Sequence, residues 1–154
     1  MYKHLFKAAL NWMVTDKLEE SNKKVYAKSH TIKIEGKDIL SISAAKAFKG
    51  DPTLLNPEDL LLSALTSCHM MSYLYVCQQN NIEVLAYEDN SEATLILNDD
   101  GSGRITKVVL NPVVHIKDAS QKELALQLHI QANKLCFIAN SCNFEIEHHA
   151  QCYS

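Results

Sequence analysis

Asn56-Pro57-Glu58-Asp59-Leu60-Leu61-Leu62-Ser63-Ala64-Leu65-Thr66-Ser67-Cys68-His69-Met70-Met71-Ser72-Tyr73-Leu74-Tyr75-Val76-Cys77-Gln78-Gln79 is the stretch that sets the fold class. Asn56 is a capping residue, Pro57 suits the first helical position, and Glu58 and Asp59 put negative charge in the first turn. The pattern predicts a helix over 57–79, ended by Asn80-Asn81. Leu61, Leu65, Cys68, Met71, Ser72 and Tyr75 form one stripe at helical spacing, and Leu60, Leu62, Ala64 and Leu74 fill the adjoining faces. So little of it is polar that burial on most sides is expected. Ser63, Thr66, Ser67, His69 and Ser72 interrupt the apolar run, which argues against a membrane span.

On either side of this helix the period changes to two. Phe6, Ala8, Leu10, Trp12 and Val14 alternate as a strand does, while Leu5, Ala9, Trp12 and Met13 would also fit a helix. Asp16 to Lys24 is polar and reads as a loop. Tyr26, Lys28, His30, Ile32 and Ile34 occupy one strand face, Glu35 to Asp38 is a turn, and Ile39 to Ser43 returns as a hairpin. Gly50, Pro52 and Pro57 punctuate a connector over 48–57. After the helix come strands at Ile82–Ala86, Ala93–Leu97, Ile105–Val109 and Val113–Ile116, with a turn at Asn98–Gly103. Pro112 marks an edge, a bulge or a strand break. Ser120 and Glu123 have capping-box spacing, so a second helix starts there and runs to about Asn133. Phe144, Ile146 and His148 suggest a terminal strand. The order β-β-β-α-β-β-α-β is that of an α+β fold built on antiparallel hairpins. One domain is expected over 1–154: a hairpin-rich N-terminal segment over 1–50, the connector, the helix 57–79, a second sheet block with its helix over 82–134, and a strand at 143–148.

The chain has 154 residues, 47% hydrophobic and 21% charged, with a formal net charge of -3. That composition excludes a disordered or collagen-like chain, and a mildly acidic protein lacks the summed field that draws in nucleic acid. Five cysteines make a poor disulfide framework, and the first residues carry no secretory signal, so a cytoplasmic protein with reduced thiols is expected. No glycine-rich phosphate loop is present. A metal site could be drawn from Cys136, Cys142, His148, His149 and Cys152, but the spacing is not diagnostic; neither metal nor cofactor is expected. A hydrolytic set of Ser67 or Cys68 with His129 and Asp118 lacks a nucleophile elbow.

Cys68 on its own reads as a small buried hydrophobe. Lys28, on the apolar face of its strand, either wants an anionic partner or lays its stem along the core with its head in solvent. Glu58 and Cys68 are ten residues apart, about 15 Å along a straight helix and roughly 80° around it. They meet only through a kink, across a subunit interface, or by way of a long basic side chain.

Asn56-Pro57-Glu58-Asp59-Leu60-Leu61 followed by Cys68 resembles the OsmC/Ohr family of thiol peroxidases. The likeness extends to Gly50-Asp51, to Cys68-His69-Met70-Met71, to Tyr87–Ala93 and to Cys136, roughly residues 5 to 147, and is greatest for the OsmC-like branch. The resemblance implies an OsmC-like fold with antiparallel sheets on a long central helix, and an intertwined homodimer with the site at its interface. Cys68 would be the peroxidatic cysteine, Cys136 the resolving one, and Glu58 the acid of the site. Organic hydroperoxides would be the substrates, hydrogen peroxide less so, with a lipoyl-type or other dithiol as reductant. The family places an arginine where this chain has Lys28. A lysine still supplies positive charge to a thiol but holds it in no rigid fork, so a less sharply oriented site is expected, with Glu58 fixing Lys28. His30 and His69 would be supporting residues, His69 as a hydrogen-bonded core or interface histidine. Cys77 reads as packing, Cys142 as a competing resolver, and Cys152 as part of a loose tail. The competing readings are a degenerate member that binds a small ligand or senses oxidants without turnover, and a structural or metal-binding module.

Overall fold

The structure is a computed structural model that describes residues 2–14, 17–20 and 23–154, with backbone alone for 17–20 and 23–25. The chain clusters into two compact units, Met1–Leu60 and Leu61–Ser154. Helix α1, Pro57–Gln79, begins in the first and runs on through the second.

Both ends of α1 follow from local chemistry. Asn56 Oδ1 accepts from the Asp59 amide at 2.9 Å, and Asp59 Oδ2 accepts from the Asn56 amide at 3.2 Å. Two amides left over at a helix start are thereby satisfied reciprocally. At the other end Asn81 takes the left-handed conformation, φ 54°. Ile82 N–H donates to the Cys77 carbonyl and Asn81 N–H to that of Gln78, which closes the last turn as a Schellman motif.

In the first unit, β1 (Ala9–Asn11), β4 (His30–Lys33) and β5 (Leu40–Ile42) form an antiparallel sheet in the order β1-β4-β5. The expected loop over Asp16–Lys24 instead contains a hairpin, β2 (Lys17–Glu20) with β3 (Lys23–Tyr26); residues 16, 21 and 22 of it lie outside the described residues. The strand expected through Tyr26–Ile34 breaks between β3 and β4, because side chains take the backbone acceptors there. Trp12 Nε1 donates to the Ala27 carbonyl at 2.9 Å, and the Lys28 carbonyl lies 2.8 Å from His30 Nδ1. The connector folds tightly onto Ala44: a Cβ on Gly50 would fall 1.7 Å from the Ala44 carbonyl oxygen.

The second unit holds β6 (Val84–Asp89), β7 (Glu92–Leu97), β8 (Gly103–Leu110), β9 (Pro112–Ile116), α2 (Lys122–Leu135), β10 (Glu145–His148) and β11 (Gln151–Tyr153). They make two three-stranded sheets, β10-β8-β7 and β11-β9-β6. Asn111 separates β8 from β9, and Pro112 opens β9, where its missing N–H costs no ladder bond. The sheets are mixed rather than antiparallel throughout. The chain crosses over through α2, and so β10 returns parallel to β8 and β11 parallel to β9. Cys152 is thus in a strand, not a loose tail. Asp118, not Ser120, caps the entry to α2. Its carboxylate accepts from the Ser120 amide and hydroxyl, and a 3-10 turn over Ala119–Gln121 leads into the helix.

Burial of α1 is one-sided. Leu65, His69, Tyr73, Val76 and Cys77 are buried, whereas Met71, Leu74 and Tyr75 are exposed. The buried line lies beside the expected stripe and shares only Leu65 with it. By length and composition α1 could cross a membrane; its buried line is engaged instead with its own chain, hydrogen bonds from His69 and Tyr73 included. Two clusters flank it. One joins Leu65 to Val108, Leu110 and Cys136; the other joins Tyr73, Val76 and Cys77 to Ile82, Val114, Ile116, Ala125, Leu128 and Ala132.

Gly50→Ala tests the connector. The added methyl meets backbone rather than a flexible side chain, so urea denaturation should show a loss of about 1–3 kcal/mol, as overpacking typically costs.

Candidate redox site

Two contacts set the register of α1 against α2. Tyr73 Oη donates to the Ala125 carbonyl at 3.1 Å, and His69 Nε2 lies 3.0 Å from His129 Nδ1. Four residues back along α1 correspond to four forward along α2, so the helices run antiparallel. Continuing that register carries the end of α2 past Cys68 to the level of Leu62, which packs against the same cluster as Cys68. Cys136, directly after α2, is fully buried in the same cluster that Cys68 packs against.

The two thiols differ in kind. Cys68 is half-buried and lines a cavity of about 410 Å³ with Met71, Ser72, Tyr75, Leu135 and Phe137. Its walls are mostly apolar. Cys136 faces no solvent. The Ala139 amide donates to its Sγ at 3.4 Å, and Asn140 holds its carbonyl through both the backbone amide and Nδ2. Burial pushes the Cys136 thiol up to about 11, and Cys68 beside it adds to the rise. One sulfur is therefore open to a small molecule, while the other is held protonated behind it. Both are free thiols. Met71 and Phe137 line this cavity, whereas Leu65 and Tyr73 are buried in the core.

The charged residues expected at the site stand as follows. Lys28 is exposed and its Nζ donates to the Phe48 carbonyl. Among the described residues no ion pair joins it to Glu58, so the expected hold of Glu58 on Lys28 is not present within the chain. Glu58 Oε2 is buried and has no hydrogen-bond partner among the described residues. Helix α1 is continuous from Pro57 to Gln79. His30 sits on β4 with Nδ1 near the Lys28 carbonyl.

His69 belongs to a buried polar cluster that the sequence did not announce. His129 stacks on Tyr73 with centroids 4.0 Å apart, and His148 lies 4.5 Å from His69. Burial lowers His69 to about 3 and His129 to about 4, with neighbouring histidines adding to the effect. His148 is lowered too, chiefly by burial, against the opposing pull of Asp89. Burial raises the Tyr73 and Tyr87 hydroxyls. The one clue in the sequence was spacing: His69 and Tyr73 are four apart on one helix, and Ala125 and His129 four apart on the other.

The alternatives drawn from the sequence do not assemble. His129 is engaged with His69, and Asp118 caps Ser120, so neither serves Ser67 or Cys68. Cys136, Cys152 and His148 enter separate surroundings, while His149 faces outward beside Glu147. Among the described residues no group of three His, Cys, Asp or Glu side chains is set to hold a metal ion.

The α+β fold thus brings a half-buried thiol and a buried one together beside an apolar cavity. The family model of OsmC-like proteins matches residues 50–149, and the chain belongs to that family. It is 31% identical over 107 residues to the uncharacterized protein YmaD of Bacillus subtilis, covering 69% of this chain and 67% of that one. It is 29% identical over 93 residues to the uncharacterized protein MJ0573 of Methanocaldococcus jannaschii, covering 60% of this chain and only 47% of that one. The solved structure of an OsmC-like protein of unknown function from Vibrio cholerae, VCA0330, superposes with a TM-score of 0.82 at 28% identity, covering 97% of this chain and all of that one.

The histidine cluster makes the protein acid-sensitive. A histidine whose folded value lies below its ordinary 6.5 leaves stability intact above pH 6.5 and removes it as pH falls toward the folded value. Carboxylates with lowered values, such as Asp118 and Glu147, come into play only below their ordinary 3.8 and 4.5. The melting temperature should therefore fall between pH 6.5 and 4.5, and circular dichroism melts across that range would show it. A flat profile there would mean the histidines are not held neutral.

Proposed function

We propose that this chain is a thiol peroxidase that reduces organic hydroperoxides, and hydrogen peroxide less well. The observation that carries the reading is the asymmetric pair, Cys68 open to an apolar cavity and Cys136 buried against it. The Cys68 thiolate attacks one peroxide oxygen, the O–O bond breaks, and the alcohol leaves. Cys68 is then a sulfenic acid. The Cys136 thiol attacks that sulfur, its proton and the hydroxyl leave as water, and a disulfide remains. An external dithiol of the lipoyl type restores both thiols by exchange. An organic tail is favoured because Met71, Tyr75, Leu135 and Phe137 offer it apolar surface, worth about 25 cal/mol for each Å² buried.

The reading extends to a cytoplasmic homodimer. Met71, Leu74 and Tyr75 are large apolar side chains left exposed on α1, and a second copy would cover them. Glu58 and Lys28 belong to the site in this proposal, Glu58 as its acid and Lys28 as its source of positive charge. A second reading has one observation in its favour. Lys28 is bound to the Phe48 carbonyl and not to Glu58, which suits a member that binds or senses without efficient turnover.

Adding an organic hydroperoxide to the wild type should remove two thiols, and dihydrolipoamide should then sustain peroxide consumption. Cys136→Ser should trap a species with one added oxygen, and Cys68→Ser should be silent. A wild type that keeps its thiols, or oxidises once and is not recycled, points to the binding or sensing role. Lys28→Arg should raise the rate of thiol loss severalfold, since a guanidinium offers a fixed fork where the ammonium offers a point charge. Stopped-flow fluorescence or timed thiol counts would read the gain, and its absence would remove Lys28 from the site.

A further inference from the structure

Four of the five cysteines fall into two couples, one in each core cluster. Cys68 and Cys136 are the couple used above. The other is Cys77 with Cys152. Cys77 lies in the last turns of α1 and is 1% exposed. Cys152 is the middle residue of β11, an edge strand of three residues whose ladder is with β9 alone. Its register partner is Val114, which is fully buried. Side chains paired across a sheet share a face, so Cys152 turns inward with Val114, into the cluster that contains Cys77. Tyr73 stands beside both: the hydroxyl is pushed up by each thiol in addition to burial. Cys142, the fifth cysteine, belongs to neither cluster.

We infer that Cys77 and Cys152 are a second redox couple, which closes a disulfide between α1 and β11 on sustained exposure to an organic hydroperoxide. Cys152 is the partly exposed member and meets the peroxide first. Its sulfur takes one oxygen as the O–O bond breaks and the alcohol leaves. The Cys77 thiol then attacks the sulfenic sulfur. The S–S bond forms, the S–O bond breaks, and the hydroxyl departs with the Cys77 proton as water. Two thiols are oxidised and one hydroperoxide is reduced. A disulfide needs Cα atoms within about 7 Å. β11 is a short edge strand with a single ladder, so a small shift toward α1 breaks no second ladder.

The couple is slow by construction. Burial raises both thiols, and each unit of such a rise removes about nine-tenths of the reactive thiolate near neutral pH. Oxidation should therefore run more slowly than that of an ordinary exposed thiol. The disulfide would then tie β11 to α1 only after the oxidant has persisted.

The inference does not depend on the chemistry of Cys68, and the test separates the two. The full chain carrying Cys68→Ser and Cys136→Ser is treated with excess cumene hydroperoxide over hours, with thiol counts and peptide mapping. Free thiols should fall from three to one. A Cys77–Cys152 cross-linked peptide should appear, vanish with dithiothreitol, and be absent when Cys152→Ser is added. The oxidised protein should also melt at a higher temperature than the reduced one. Peptide mapping of the peroxide-treated wild type reads the same cross-link even if the double variant folds poorly. Retention of all three thiols, a Cys142–Cys152 link, or Cys152 carried to sulfinic acid without a cross-link would each overturn the inference.

Discussion

Helix α1 meets three different surroundings along one buried line. Leu65 enters an apolar cluster with Cys136, His69 enters the polar cluster, and Tyr73, Val76 and Cys77 enter the second apolar cluster. Apolar contacts alone would let two helices slide past each other at little cost. The His69–His129 contact and the bond from Tyr73 to Ala125 do not permit that, because both are directional and both are buried. With α2 locked in this register, Cys136 arrives seven residues after His129, two helical turns on, in the cluster beside Cys68. The redox pair is thus positioned by groups that take no part in its chemistry.

The same polar contacts explain why histidines are tolerated in the core. A buried imidazole is acceptable when neutral and hydrogen-bonded, and costly when charged. The burial that holds His69 and His129 neutral also holds Cys136 protonated. One physical cause, exclusion of water, therefore acts on the support and on the buried sulfur together. Cys68 lies on the side of α1 that borders the cavity.

Much of this was legible in the chain. Asn56, Pro57 and Asp59 announced the start of α1, and Asn80-Asn81 announced its end, because caps are written in adjacent residues. The Asn-Pro-Glu stretch with Cys68 and Cys136 pointed to the family. What escaped was long-range. The side of α1 that is buried depends on where β8, β9 and α2 lie, and so the stripe through Cys68, Met71 and Tyr75 was taken for the core line when it borders the cavity. The parallel return of β10 and β11 depends on the crossover, which no local pattern records. The break at Ala27–Ser29 arises from Trp12, fifteen residues away from the carbonyl it binds. The meeting of His129 and His148 with His69 gave no signal because contacts between residues this far apart in sequence have no local signature.

The parallel strands bear on how the chain acquires its structure. β8 cannot gain its neighbour β10, nor β9 its neighbour β11, until α2 has formed and the segment beyond it has come back across the sheet. Pairings this far apart in sequence close large loops before any contact compensates for the lost freedom, which makes them slow. On a ribosome they are also the pairings that emerge last. Until then β8 and β9 each expose one unpaired edge, rich in valine and isoleucine, a composition suited to joining the wrong strand. The interval between synthesis of β9 and docking of β11 is when the nascent chain is most open to aggregation.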